Sequence, residues 1–184
     1  LGGVEGQQIP PEVAQLADKL DAVLSLVLQF IDSQLARVAE EEALTGHSTR
    51  KSRFLQAFLD VFERRCLPCP RSKFVQFVWF HLCSKCPSFV NPFITRLLKK
   101  GMGWREAGMV RQGAFFYVSS FLSRAAFLDK STVSDVLAQL LLWCAGYVLH
   151  FRGETLTPSP ELVKALAPLA TVYPPRQQSS APTH

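Results

Sequence analysis

Apolar residues recur at helical spacing along most of this chain. After Pro10-Pro11-Glu12, the positions Val13, Leu16, Leu20, Val23, Leu24, Val27, Leu28, Ile31, Leu35 and Val38 follow one another at intervals of three and four. That period lines one face of a helix. Proline suits its first turn and Glu12 its positive end, while the Glu40-Glu41-Glu42 run or Gly46 closes it. Ser48-Thr49 can cap a second helix with the stripe Phe54, Leu55, Phe58, Leu59 and Phe62, which stops before Pro68 and Pro70. Ser72 can cap a third over 73–83, apolar almost all round and so expected in the middle of a stack. Pro87-Ser88 opens a fourth. Its rows Phe89, Phe93, Leu97 and Val90, Ile94, Leu98 lie side by side, and Lys99-Lys100-Gly101 ends it.

The fifth helix, expected over 110–128, organises the rest. Val110, Ala114, Tyr117, Val118, Phe121, Ala125 and Leu128 share one face, and Gln112, Ser119 and Ser123 lie opposite. Phe115 and Phe116 flank the polar side, so the helix is apolar on more than one side and needs helices around it. Ser131 can cap a sixth, carrying Val133, Val136, Leu137, Leu140, Leu141, Cys144, Tyr147 and Val148. Ser159-Pro160-Glu161 starts a short seventh. Residues 1–10 and 174–184 are expected to be disordered, with a helical domain over 11–150 and a loop with a short helix over 151–173. First with second, third with fourth and fifth with sixth form antiparallel pairs. The expected fold is all-α, with these pairs stacked as a HEAT or armadillo type α-solenoid; a compact helical bundle is the alternative.

Composition adds little to this picture and charge adds more. The 184 residues are 48% hydrophobic, one domain's worth with few alternating strand-like runs. Residues 1–47 hold two Lys/Arg against eight Asp/Glu, a net −6, whereas 48–100 hold eleven against two, a net +9. The basic middle fits a solvated face, or one that meets an acidic partner. The chain begins with Leu, as expected of a piece of a longer or processed protein, and shows no signal-peptide pattern. The apolar run over 133–151 contains Asp135 and Gln139, so it is expected to be a buried core helix rather than a membrane span, and no membrane partner is expected.

Candidate chemistry is sparse. Cys66-x2-Cys69 and Cys83-x2-Cys86 have spacing close to that of a four-thiolate zinc site. A helix between the pairs would hold them ~16 Å apart, too far for one ion. Free thiols are the expectation, with zinc the alternative. Cys66-Leu67-Pro68-Cys69 also has redox-pair spacing but lacks the surrounding βαβ pattern. His81 reads as a neutral core histidine rather than a partner of Cys83. Gly101-x-Gly103 reads as a helix–helix turn, lacking a P-loop's Lys-Ser/Thr. No carboxylates pair within apolar sequence, so no enzyme, cofactor or small-molecule substrate is expected. Phe77, Phe80, Tyr117, Phe121 and Arg124 are expected in or against the core. Arg111 and Arg124 are expected to lay their stems along it. Arg111, Gln112, Ser119, Ser123 and Ser88 are the candidate partner contacts, and phosphate on a surface serine would reverse the local charge.

Two segments carry a resemblance. Val75, Gln76, Phe77, Phe80, Leu82, Cys83 and Ser84 form the first. Arg111, Gln112, Tyr117, Val118, Ser120, Phe121, Leu122, Arg124, Ala125 and Phe127 form the second. In this order they resemble the RNA polymerase I-specific initiation factors of the TIF-IA family. Asp18-Lys19-Leu20-Asp21 and Thr132-Val133 with Leu140-Leu141 and Trp143 extend the likeness over roughly residues 16–150. Phe115-Phe116 departs from the family pattern, and Cys66, Cys69 and Cys86 are not family features. The resemblance implies a HEAT-repeat fold and a longer, non-enzymatic, phosphorylation-controlled factor of the nucleus and nucleolus. Such a factor would bind RNA polymerase I and bridge it to promoter-bound core factor, without sequence-specific DNA binding of its own. A general helical-repeat adaptor is the rival reading.

Overall fold

The computed structural model describes residues 10–69 and 74–152. Among them there are six α-helices and no strand: α1 (Pro11–Thr45), α2 (Thr49–Val61), α3 (Val75–Lys85), α4 (Val90–Met102), α5 (Gly108–Arg124) and α6 (Lys130–Arg152). The fold is all-α, as the periodicity predicts. Helix α1 ends where a glycine is needed: Gly46 takes φ 67° and its N–H donates to the Glu42 carbonyl at 3.0 Å. A Cβ would be strained in this left-handed conformation.

Helix starts differ in detail from the expected caps. Ser48 makes no cap bond and instead donates to Glu42 Oε1 at 2.6 Å, tying α2 to α1. That bond and Lys51 hold the Glu42 carboxyl below its ordinary range. Asp129, not Ser131, caps α6 by accepting from the Thr132 N–H at 2.6 Å, and Ser131 donates to the same carboxylate oxygen. These bonds lower the Asp129 pKa. A carboxylate with a lowered folded pKa contributes fully above its unfolded value, near ~3.9, and loses that contribution as pH falls through the folded value. Loss of protection of the Thr132 amide, measured against its intrinsic exchange rate, is therefore expected only below about pH 4, and Asp129→Asn should remove that step. The expected Ser72 cap and the expected seventh helix lie outside the described residues.

Helix α2 runs into a π-turn, Phe62–Cys66, in which the Leu67 N–H reaches back to the Phe62 carbonyl at 2.9 Å. The wider turn swings Leu67 into the core before Pro68 stops the helix. Around it the core is aromatic. Trp79 of α3 stacks on Phe93 of α4, with ring centroids 4.0 Å apart. Phe62 packs edge-on against Trp79, Phe93 and Tyr117. Phe121 of α5 meets Phe93 and Phe80. Each such side chain contributes ~1.5–3 kcal/mol on burial.

The closest-packed pair is α4 with α5, not the expected third with fourth or fifth with sixth. Helix α1 packs on α2 and α3, and α3 on α5. Small residues explain the α5 contacts. A Cβ on Gly113 would lie 2.9 Å from the Leu67 carbonyl oxygen, and one on Gly101 3.0 Å from the Phe115 ring. Glu63 adds a polar tie: it pairs with Arg96 at 3.1 Å and Lys100 at 3.7 Å, and Lys100 also reaches Glu106 at 2.7 Å. Its hydrogen bond to Glu106 is the main cause of the raised Lys100 pKa.

Two expectations of deep burial fail. Helix α3 buries Gln76, Trp79, Leu82 and Cys83 but leaves Phe74 and Phe77 on an open side. Helix α6 buries Val136 yet exposes Leu137, Leu141 and Val148. Helix α1 likewise exposes Leu16, Val23, Leu26 and Phe30 on the flank away from Ile31. Both α1 and α6 are long and apolar enough to cross a membrane by length and composition. A helix apolar on two sides within a helical stack has the same composition.

Candidate partner-binding surface

Helix α5 divides its residues as its periodicity predicts. Ala114, Tyr117, Val118, Phe121 and, just past its end, Ala125 are buried. Gln112, Phe116, Ser119 and Ser123 are exposed and fall within about 60° of one another at ~100° per residue. They form one strip. Its aromatic member is Phe116, 58% exposed and edge-on to Tyr117. Ser123 donates to the Ser120 carbonyl at 3.2 Å. An aromatic ring among short hydrogen-bonding side chains is the composition of an interface centre with a polar rim. In the sequence Phe116 reads as a helix-packing residue; its solvent exposure could not be read there.

The strip rests on a buried polar contact between helices. Ser120 Oγ donates to Gln76 Oε1 of α3 at 2.5 Å, and both residues are buried. Gln76 lies among the apolar residues of the first half of α3, which is the signal for such a partner, because a buried amide needs one. Ser120→Ala should therefore cost about 1–3 kcal/mol by orphaning Gln76. Adding Gln76→Leu should recover most of that loss in a urea-melt double-mutant cycle.

The other candidate residues separate. Arg111 is half-buried: its Nε donates to the Gly101 carbonyl at 3.1 Å, and its guanidinium lies 5.9 Å from the ring centroids of both Trp104 and Trp143. It fastens the end of α4 to α5 and α6, as expected of a packed stem. Arg124 departs from the expected core placement. It is exposed in the last turn of α5, where its cation stays hydrated at the helix's negative end. Phe77 also departs, at 42% exposure, because it points away from the buried side of α3. Phe80 is half-buried, edge-on to Phe77 and against Phe121. Ser88 is exposed in the turn before α4, with its Oγ 3.2 Å from Cys86 Sγ. His81 is no isolated core histidine: its Nε2 meets Asp32 of α1 at 2.7 Å.

Cys66, Cys69, Cys83, Cys86 and Cys144 carry no disulfide. No group of three or more His, Cys, Asp or Glu converges on a common point among the described residues. Cys83 is buried in α3, and burial pushes its thiol up to about 12.

Residues 5–166 match the family described as RNA polymerase I specific transcription initiation factor RRN3. The chain belongs to this family. The match takes in all six helices and the exposed strip of α5. Over 150 residues the chain is 31% identical to the RNA polymerase I-specific transcription initiation factor RRN3 of Mus musculus, covering 81% of this chain and 22% of the relative. The tif-1A factor of Caenorhabditis elegans is 26% identical over 157 residues, covering 74% and 24%. The RRN3 factor of Saccharomyces cerevisiae is 23% identical over 142 residues, covering 77% and 22%. The chain thus spans less than a quarter of the length of these relatives, which are named as initiation factors rather than enzymes. No solved structure matches it.

Proposed function

We propose that this chain acts in RNA polymerase I initiation by binding the polymerase and bridging it to promoter-bound factors at ribosomal RNA genes, in the nucleus and its nucleolus. The family match over residues 5–166 carries the reading. The strip formed by Gln112, Phe116, Ser119 and Ser123 is the contact surface, with Ser88 and the basic stretch at 48–100 beside it in the sequence. The role is that of a docking protein, without catalysis. A helical stack suits such a task because it presents an extended surface rather than a pocket. The open apolar faces of α1 and α6 fit continuation of that stack as an α-solenoid. Phosphate on Ser119 or Ser123 would place about two negative charges within the strip and weaken contact with an acidic or apolar partner.

The test is retention of purified RNA polymerase I on the immobilised chain, with RNA polymerase II as the control, at low and high salt. The expected result is selective retention of polymerase I, falling with salt if the basic stretch takes part. Equal retention of both polymerases would favour a general adaptor, and retention of neither by a folded chain would refute polymerase binding by these residues.

A further inference from the structure

The two Cys-x-x-Cys pairs do not sit alike. In the second, Cys83 lies in the core and Cys86 contacts Ser88. In the first, Cys69 is exposed and Cys66 is half-buried against the core. The Cys69 N–H donates to the Cys66 carbonyl at 3.0 Å. A four-residue turn closed in this way brings its ends within about 7 Å, matching the ~4.4–6.8 Å Cα separation that a disulfide spans. Pro68 between the thiols stiffens the turn. Leu67 is buried, and its carbonyl lies against the backbone of Gly113 in α5. The turn carrying the pair is therefore seated on the helix that displays the exposed strip.

We infer that Cys66 and Cys69 form a reversible intramolecular disulfide by exchange with a small solution disulfide of the glutathione class. The exposed Cys69 thiolate attacks one sulfur of the small disulfide, forming a mixed disulfide and expelling one thiolate. The Cys66 thiol then loses its proton and attacks the Cys69 sulfur. This expels the second small thiolate, which takes up a proton. Two protein thiols are oxidised to one disulfide, and one small disulfide is reduced to two thiols. Burial raises the Cys66 thiol pKa, with the neighbouring Cys69 adding to it. That assigns Cys66 the resolving step rather than the first attack. The bond closes a ring around Leu67 and Pro68 and fixes the turn against α5. In a reducing compartment the thiols are the resting state, and the disulfide is a transient, redox-sensing one.

The full chain is incubated with oxidised glutathione, then alkylated and digested with trypsin. Both cysteines fall on one peptide, residues 66–71, between Arg65 and Ser72. The expected result is that this peptide loses its alkyl labels, is lighter by two hydrogens, and regains both labels after reduction. Cys83 is expected to label only on unfolding. In the Cys66→Ser variant the glutathione should remain on Cys69, and in Cys69→Ser the peptide should stay free of glutathione. A peptide that keeps both labels, or glutathione that stays on Cys69 of the unchanged chain, would overturn the inference. Neither outcome bears on polymerase binding, which is measured on the reduced chain.

Discussion

Phe121→Ala is expected to lower the stability of the chain by about 3–5 kcal/mol in chemical denaturation, the range for an aromatic truncated in a packed core. Phe121 is almost fully buried. Its ring touches Phe80 of α3, Phe93 of α4 and Phe127 beyond the end of α5. Removing it leaves a void facing three rings whose own stacking, above all Trp79 on Phe93, resists collapse into the space. Lost transfer energy and a persistent cavity therefore add. The matched change at Phe116, only one turn and a half away, should cost less than about 0.5 kcal/mol, because that ring is 58% exposed and faces no void in the core. A difference of less than about 1 kcal/mol between the two would reverse the orientation of α5.

Gly113→Val is expected to cost about 2–3 kcal/mol by overpacking. The atom a Cβ would strike, at 2.9 Å, is the backbone carbonyl oxygen of Leu67. A side chain could rotate away, but this carbonyl is held between the π-turn and Pro68. Helix α5 must therefore shift off the core or the turn must open. Helix propensity offsets little, since valine gains only a few tenths of a kcal/mol over glycine. Gly108→Ala is the control. Nothing lies within 4 Å of its added Cβ, so it should be neutral or stabilise by about 0.4–1 kcal/mol through the unfolded chain. Loss of stability at both positions would point to backbone effects and away from the packing of Leu67 on Gly113.

The contrast between these two predictions marks how far the sequence could be read. The face bearing Phe121 was legible because a period near 3.6 over seventeen residues leaves only one way to bury Ala114, Tyr117, Val118 and Phe121 together. Gly113 was not legible, because its neighbour Leu67 comes from a π-turn more than forty positions earlier and local spacing carries no trace of that approach. The helices themselves emerged with small shifts at their ends, where capping is decided by which carboxylate or hydroxyl is nearest: Asp129 rather than Ser131 for α6. Side-chain placement failed where burial depends on what lies across the helix. Phe77 and Arg124 both follow apolar stripes, yet Phe77 stays 42% exposed beside Phe80, and Arg124 keeps its charge hydrated at a helix end. Within the strip, Gln112, Ser119 and Ser123 were legible as the polar side of α5. Its exposed aromatic was not, since apolar character alone points a residue inward. For the cysteines, spacing left zinc as the alternative to free thiols, and the helix that was expected to part the two pairs is present as α3, with Cys83 buried in it.

The most direct measurement is the affinity of reduced chain for purified RNA polymerase I, compared with that of the Phe116→Asp variant, with both shown by circular dichroism and thermal melting to be folded. A charge in place of the strip's exposed aromatic ring is expected to weaken binding by about tenfold or more, or at least about 1.4 kcal/mol, as at a desolvated hot spot. Equal affinity of the two folded proteins for the polymerase would contradict the assignment of this face of α5 as the docking surface.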